Sequence, residues 1–88
     1  PGRARKAGER LRTALEDVPG IASVRGLGLL LAVELAAGRD AKQVNLDLLH
    51  AGLVANAVTP TAIRFAPQLL VADAELDEAV AIVREVLS

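Results

Sequence analysis

The chain has 88 residues and a formal net charge of -1 at pH 7, with 10 basic and 11 acidic side chains. A chain of this length folds into one small domain with one modest core, which excludes a complete multidomain enzyme. It contains no cysteine, which excludes disulfides and thiolate metal sites and is compatible with a cytoplasmic location, which we expect.

The hydrophobic content is high for so short a chain, at 52% with a mean hydropathy of +0.38. We expect part of this apolar surface to face a partner, since small domains need polar cover. The longest apolar run, residues 29–33, is far shorter than the roughly 18 residues that a membrane helix needs, so we expect no membrane partner. The chain opens Pro1-Gly2 and lacks methionine, and we interpret it as a fragment.

In the first half, apolar residues at spacings of three and four predict an amphipathic helix over residues 3–18, ended by Pro19-Gly20. Two β-prone runs follow, residues 21–24 and 29–35, separated by a glycine-containing turn over residues 25–28. The second run is apolar on both faces up to Glu34, which is typical of a central strand covered on both sides.

In the second half, Asp40 and Gln43 resemble a helix N-cap pair. The helix that they start is predicted to run to about His50 and to end at Gly52. Two short strands, residues 53–56 and 62–66, follow and are joined through a turn at Thr59-Pro60.

A final amphipathic helix is predicted to start after Asp73, with Leu76, Ala79, Val83 and Leu87 among the residues on its apolar face. The order αββαββα predicts an α+β fold. We expect a small mixed or antiparallel sheet of three to four strands, with the helices packed on one face.

Arg64 is the strongest candidate for a functional residue, because it is a permanent cation set in an otherwise apolar strand. Alternation places Ile63 and Phe65 on one face and Arg64 on the other, between Ala62 and Ala66. Its planar guanidinium suits a carboxylate held by two hydrogen bonds. A lone arginine makes a poor phosphate site, whereas an ion pair across a domain interface remains open as the alternative.

Other motifs point to no separate chemistry. The sequence Arg25-Gly-Leu-Gly28 lacks the third glycine of a dinucleotide-binding loop. The basic first helix lacks the aromatic side chains that stack on nucleic acid, so we expect no nucleic-acid partner. His50 is expected to be structural at a helix C-terminus, and Lys6 and Lys42 to lie on exposed helices rather than in an apolar catalytic pocket. We assign no catalytic residue, no metal ligand and no cofactor-binding residue.

Three segments carry a resemblance to a known family: VRGLGLLLAVEL (residues 24–35), AGLVANAV (51–58) and IRFAPQL (63–69). With the closing acidic helix they resemble the C-terminal small domain of class III pyridoxal-phosphate aminotransferases, and most of all the acetylornithine aminotransferases. The resemblance covers nearly all of residues 1–88. It implies a homodimeric enzyme that exchanges an amino group between N-acetylornithine and 2-oxoglutarate in arginine biosynthesis.

The same resemblance implies that pyridoxal 5'-phosphate is held by a lysine of a large domain outside this chain, so that the fragment is inactive alone. It matches Arg64 to the arginine that binds the substrate α-carboxylate. Leu27 and Gln68 depart from the family pattern beside this site, and Asn56 matches a family position without a known role.

Three alternatives stay open. The parent could be another class III aminotransferase, of the ornithine, succinylornithine or 4-aminobutyrate type. The chain could be a free-standing amino-acid-binding regulatory module, which would require the order βαββαβ. It could also be a pure interaction domain, in which Arg64 pairs with protein.

Overall fold

The computed structural model describes residues 2–27, 30–66 and 73–88. The elements, in chain order, are α1 (Gly2–Glu16), β1 (Ile21–Leu27), β2 (Leu30–Leu35), α2 (Ala41–His50), β3 (Asn56–Thr59), β4 (Ala62–Phe65) and α3 (Asp73–Leu87). This order confirms the predicted αββαββα arrangement and the α+β class, and it differs from the βαββαβ order of a regulatory module. The predictions at Gly28, Leu29, Pro67 and Gln68 lie outside the described residues.

The strands form one four-stranded sheet in the spatial order β1-β2-β4-β3. All three neighbouring pairs are antiparallel, so the antiparallel form of the prediction is confirmed. β2 and β4 occupy the centre, and β1 and β3 form the edges. Arg64 therefore lies on a central strand.

The helices cover one face of this sheet, as predicted. Helix α1 packs on β1, α2 packs on β3 and β4, and α3 packs against α1 and α2. The largest fully buried side chains come from both layers: Leu15, Leu48, Val33, Ile63, Val83 and Leu87. Among the residues that the structure describes, the buried side chains include no polar or charged one. Hydrophobic burial on this face is thus the main stabilising term of the fold.

The first hairpin differs from its prediction in two ways. Strand β1 continues past Val24 to Leu27, because Arg25, Gly26 and Leu27 pair with the start of β2. Strand β2 is central, but it is not covered on both sides: Leu31 and Val33 are buried, whereas Ala32 is half-buried. The prediction of two covered faces was wrong, since the helices pack on one face only.

Helix α2 begins where the Asp40 side chain accepts a hydrogen bond from the Lys42 backbone N–H at 3.2 Å, which confirms the predicted N-cap. The reciprocal half of the cap is absent, because Gln43 donates to Asp47 Oδ1 at 2.9 Å instead. The backbone N–H of Ala41 donates to the Pro60 carbonyl at 3.0 Å. This bond ties the start of α2 to the turn between β3 and β4.

Helix α2 ends in a Schellman motif, in which Gly52 donates to Leu49 O at 3.0 Å and Leu53 to Leu48 O at 2.8 Å. Gly52 has a φ of 99°, a conformation that glycine adopts without a steric penalty. The predicted strand over residues 53–56 was wrong for this reason. Leu53 completes the helix cap, and pairing with β4 starts only at Asn56.

No helix among the described residues is long and apolar enough to cross a membrane.

Candidate functional site

Arg64 lies on the face of the sheet that the helices leave open. Ile63 is fully buried, at 0% exposure, and Phe65 is buried beside it, whereas Arg64 between them is half-buried. The face alternation that the sequence predicts for this strand is confirmed. The guanidinium therefore projects away from the core.

The sheet register aligns Arg64 with three residues of the other strands. Arg64 is opposite Ala32 on β2 and opposite Asn56 on β3, and Ala32 is in turn opposite Arg25 on β1. We call these four residues, Arg25, Ala32, Arg64 and Asn56, the open-face row. Directly opposite side chains have Cβ atoms about 4.5–5.5 Å apart, so Ala32 and Asn56 are the immediate neighbours of Arg64.

A second row on the same face consists of Ser23, Glu34, Ala62 and Thr59. Glu34 is thus diagonal to Arg64, two residues further along β2 than Ala32, the residue opposite Arg64. In the described part of the chain, Arg10 pairs with Asp77 at 3.6 Å and Arg12 pairs with Glu16 at 3.8 Å, both at helix surfaces. No ion pair joins Glu34 to Arg64, although both are described.

Arg39 shows how this fold satisfies an arginine whose role is structural. It lies in the loop after β2, and its Nη2 donates to the backbone carbonyl of Leu87 in the last turn of α3. A guanidinium at a helix C-terminus also interacts favourably with the helix dipole. Within residues 2–27, 30–66 and 73–88, Arg64 has no comparable partner, so its charge is available to an anion.

The remaining titratable candidates stay apart from this site. Lys6, Lys42 and His50 are exposed on helices α1 and α2, on the helix side of the sheet. The described residues contain no cluster of three or more potential metal ligands. Among the described residues, the structure therefore places neither these two lysines nor the histidine on the face of the sheet that carries Arg64.

Sequence reasoning missed the companions of Arg64. Arg25 was expected in a turn but lies within β1, and Asn56 was expected at the end of a strand but begins one. Strand alternation alone places a residue on a face, whereas the register between strands decides which residues meet. The one available signal was the polar residue Asn56 in a β-prone segment, since asparagine is depleted in strands.

The chain is similar to known proteins over nearly its whole length. The family model described as Aminotransferase class-III matches residues 2–87. An acetylornithine aminotransferase of Bifidobacterium longum is 45% identical over 85 residues, covering 94% of this chain and 20% of the relative. An ornithine aminotransferase 2 of Staphylococcus saprophyticus is 39% identical over 88 residues, covering 98% of this chain and 22% of the relative.

The fold is also similar to that of a solved aminotransferase structure. The crystal structure of the acetylornithine aminotransferase from Elizabethkingia anophelis superposes with a TM-score of 0.78 at 30% identity, covering 97% of this chain and 24% of that one. The chain spans 20% to 22% of the length of the two sequence relatives named above. The match extends over almost every residue of the chain, which belongs to the class III aminotransferase family.

Proposed function

We propose that residues 1–88 form the C-terminal small domain of a longer pyridoxal-phosphate-dependent aminotransferase of the acetylornithine type. In this proposal Arg64 binds the α-carboxylate of the substrate. One observation carries the assignment: Arg64 is on the helix-free face, between the small side chains Ala32 and Ala62, and has no ion pair among the described residues. The similarity to acetylornithine aminotransferases supports it.

The chemistry of a guanidinium fits this role. Its two parallel N–H bonds match the two oxygens of a carboxylate and fix the orientation of the group as well as its position. 2-Oxoglutarate and its product glutamate carry a carboxylate next to the reacting carbon, whereas N-acetylornithine gives up the amino group at the end of its side chain, remote from its α-carboxylate. An arginine near the reacting carbon therefore suits the α-carboxylate of 2-oxoglutarate, and a large domain that excludes water over this face would strengthen the contact.

The residues of this chain do not fit the cofactor itself. Its two lysines, Lys6 and Lys42, are both exposed on helices, and neither lies near the open face. We propose that the cofactor and its lysine belong to a large domain outside this chain, and that the complete enzyme acts as a homodimer in the cytoplasm. The cofactor supplies the electron sink for amino-group transfer, whereas this chain recognises and orients the substrate and is inactive alone.

The test is Arg64→Ala in the complete enzyme. Loss of a desolvated charge pair should weaken binding of the oxo-acid acceptor by about 2–5 kcal/mol, measured as its apparent Michaelis constant. Arg12→Ala is the matched control, since it removes the same charge from an exposed helix position. An unchanged Michaelis constant for the oxo-acid acceptor in Arg64→Ala would contradict the carboxylate role.

An ornithine-type enzyme is the second candidate, favoured by the 39% identity to the Staphylococcus saprophyticus protein. Steady-state assays of the complete enzyme with N-acetylornithine and with ornithine distinguish the two. A higher kcat/KM for ornithine would replace the acetylornithine assignment and leave the carboxylate role of Arg64 in place.

A further inference from the structure

Asn56 is the immediate neighbour of Arg64 on the open face. It is the first residue of β3, an edge strand of the sheet, and its register partner is Arg64. Its side chain is exposed. Within residues 2–27, 30–66 and 73–88, its amide makes no hydrogen bond, so both its donors and its acceptor are available beside the guanidinium.

The hairpin itself does not account for an asparagine at this position. The turn between β3 and β4 is stabilised by Thr59, whose Oγ1 accepts from the Thr61 backbone N–H at 3.2 Å. Asn56 lies at the other end of the strand and takes no part in that turn. Asparagine is also among the residues that strands disfavour, so its presence lowers the local stability of β3. No side-chain hydrogen bond of Asn56 within the described residues offsets this loss.

We propose that Asn56 is a second carboxylate-binding residue, which acts with Arg64 on the same carboxylate. This inference rests on the proposed function and deepens it. A carboxylate offers about four lone-pair sites, of which a guanidinium fork uses two. The Asn56 amide N–H donates to one of the remaining sites, while Arg64 holds the group through two parallel hydrogen bonds.

The geometry favours a side-on approach of the carboxylate to the guanidinium. Opposite Cβ atoms are about 4.5–5.5 Å apart, and asparagine is much shorter than arginine. A carboxylate that contacts Nε and one Nη lies closer to the sheet than one held at the guanidinium tip, and there the short amide can reach it. Arg25 is two strands away from Arg64, about 10 Å at the usual strand spacing, and Glu34 carries the wrong charge.

A neutral amide gives this site a donor without a second cation. The pair Arg64 and Asn56 would select a group with two oxygens and a single negative charge. The ligand class is thus the α-carboxylate of an amino acid or 2-oxo acid, bound by three hydrogen bonds from two strands.

The test compares Asn56→Ala, Asn56→Asp and the control Ser23→Ala in the complete enzyme. Ser23 is exposed on the same face, on β1, opposite Glu34 and remote from Arg64. Asn56→Ala should raise the apparent KM of the oxo-acid acceptor about tenfold, the loss of one hydrogen bond to a charged group, with kcat nearly unchanged. Ser23→Ala should leave both constants as they are.

Asn56→Asp separates a binding role from a structural one. Aspartate has the shape of asparagine, so a structural role predicts a smaller effect than that of alanine. A binding role predicts a larger effect, because the new carboxylate pairs with Arg64 and repels the substrate. We expect an increase of about a hundredfold in KM, ten times that of Asn56→Ala.

The two proposals fail separately. Unchanged constants in Arg64→Ala overturn the proposed function and this inference together. If Arg64→Ala weakens binding of the oxo-acid acceptor while Asn56→Ala changes its KM by no more than about twofold, this inference alone is overturned. The same holds if Asn56→Asp is milder than Asn56→Ala. Matching thermal unfolding of the variants confirms that each is folded.

Discussion

The two faces of the sheet have opposite environments although the same strands form both. On β4, Ile63 is fully buried under the helices, whereas the next residue, Arg64, points to the helix-free side. The helix face is filled by apolar side chains, and the open face presents Arg25, Glu34, Arg64 and Asn56. Residues adjacent in sequence thus differ in burial according to the face on which they lie, and our proposal assigns one face to stability and the other to recognition.

Ile63→Ala tests this division with the largest expected effect on stability. Truncation of a fully buried side chain removes apolar burial and leaves a cavity, so we expect a loss of about 2–5 kcal/mol. Arg64→Ala, one residue along, should change the free energy of unfolding by at most about 0.5 kcal/mol. Urea unfolding of the chain measures both, followed by far-UV circular dichroism because the chain has no Trp or Tyr. Equal losses of the free energy of unfolding in Ile63→Ala and Arg64→Ala would contradict the distinction between the two faces.

Arg39→Met tests whether an arginine with a hydrogen-bond partner contributes more to stability than Arg64 does. The variant keeps the aliphatic stem of the side chain but removes the donor to the Leu87 carbonyl. We expect a loss of about 1.5–3 kcal/mol, the range for a hydrogen bond to a charged group, by the same urea unfolding measurement. Arg12→Met, which breaks only an exposed helix pair with Glu16, is the control and should cost at most about 0.5 kcal/mol. If Arg39→Met leaves the free energy of unfolding unchanged, this contact does not hold α3 in place.

Asp40→Ala gives the smallest of these effects and sharpens the comparison within the helix layer. It removes the acceptor that caps α2, at a cost of about 1 kcal/mol. Asp40→Asn is the matched control, since asparagine caps nearly as well. The Michaelis constants of the complete enzyme should be unchanged in Asp40→Ala, because the cap lies outside the open-face row. A change in KM larger than the change in stability explains would indicate coupling between α2 and the site.

Much of the fold follows from local patterns in the sequence. The helix that opens the chain, the cap at Asp40, the stop at Gly52 and the face alternation around Arg64 depend on a few adjacent residues. The errors at the strand ends have two causes, strand pairing for β1 and a local helix cap for β3. Strand β1 extends to Leu27 because β2 supplies partners, and β3 begins at Asn56 because the helix cap occupies Leu53.

The candidate site divides in the same way. The sequence by itself singled out Arg64 as the candidate, since a permanent cation among apolar strand residues favours an anionic partner, and it placed the residue opposite Ile63 and Phe65 through the two-residue period of a strand. Only the tertiary structure decided that the open face carries Arg25, Ala32 and Asn56 in one row with Arg64. That row depends on strand order and register, which are fixed by long-range hydrogen bonding and by burial of the opposite face rather than by any local preference.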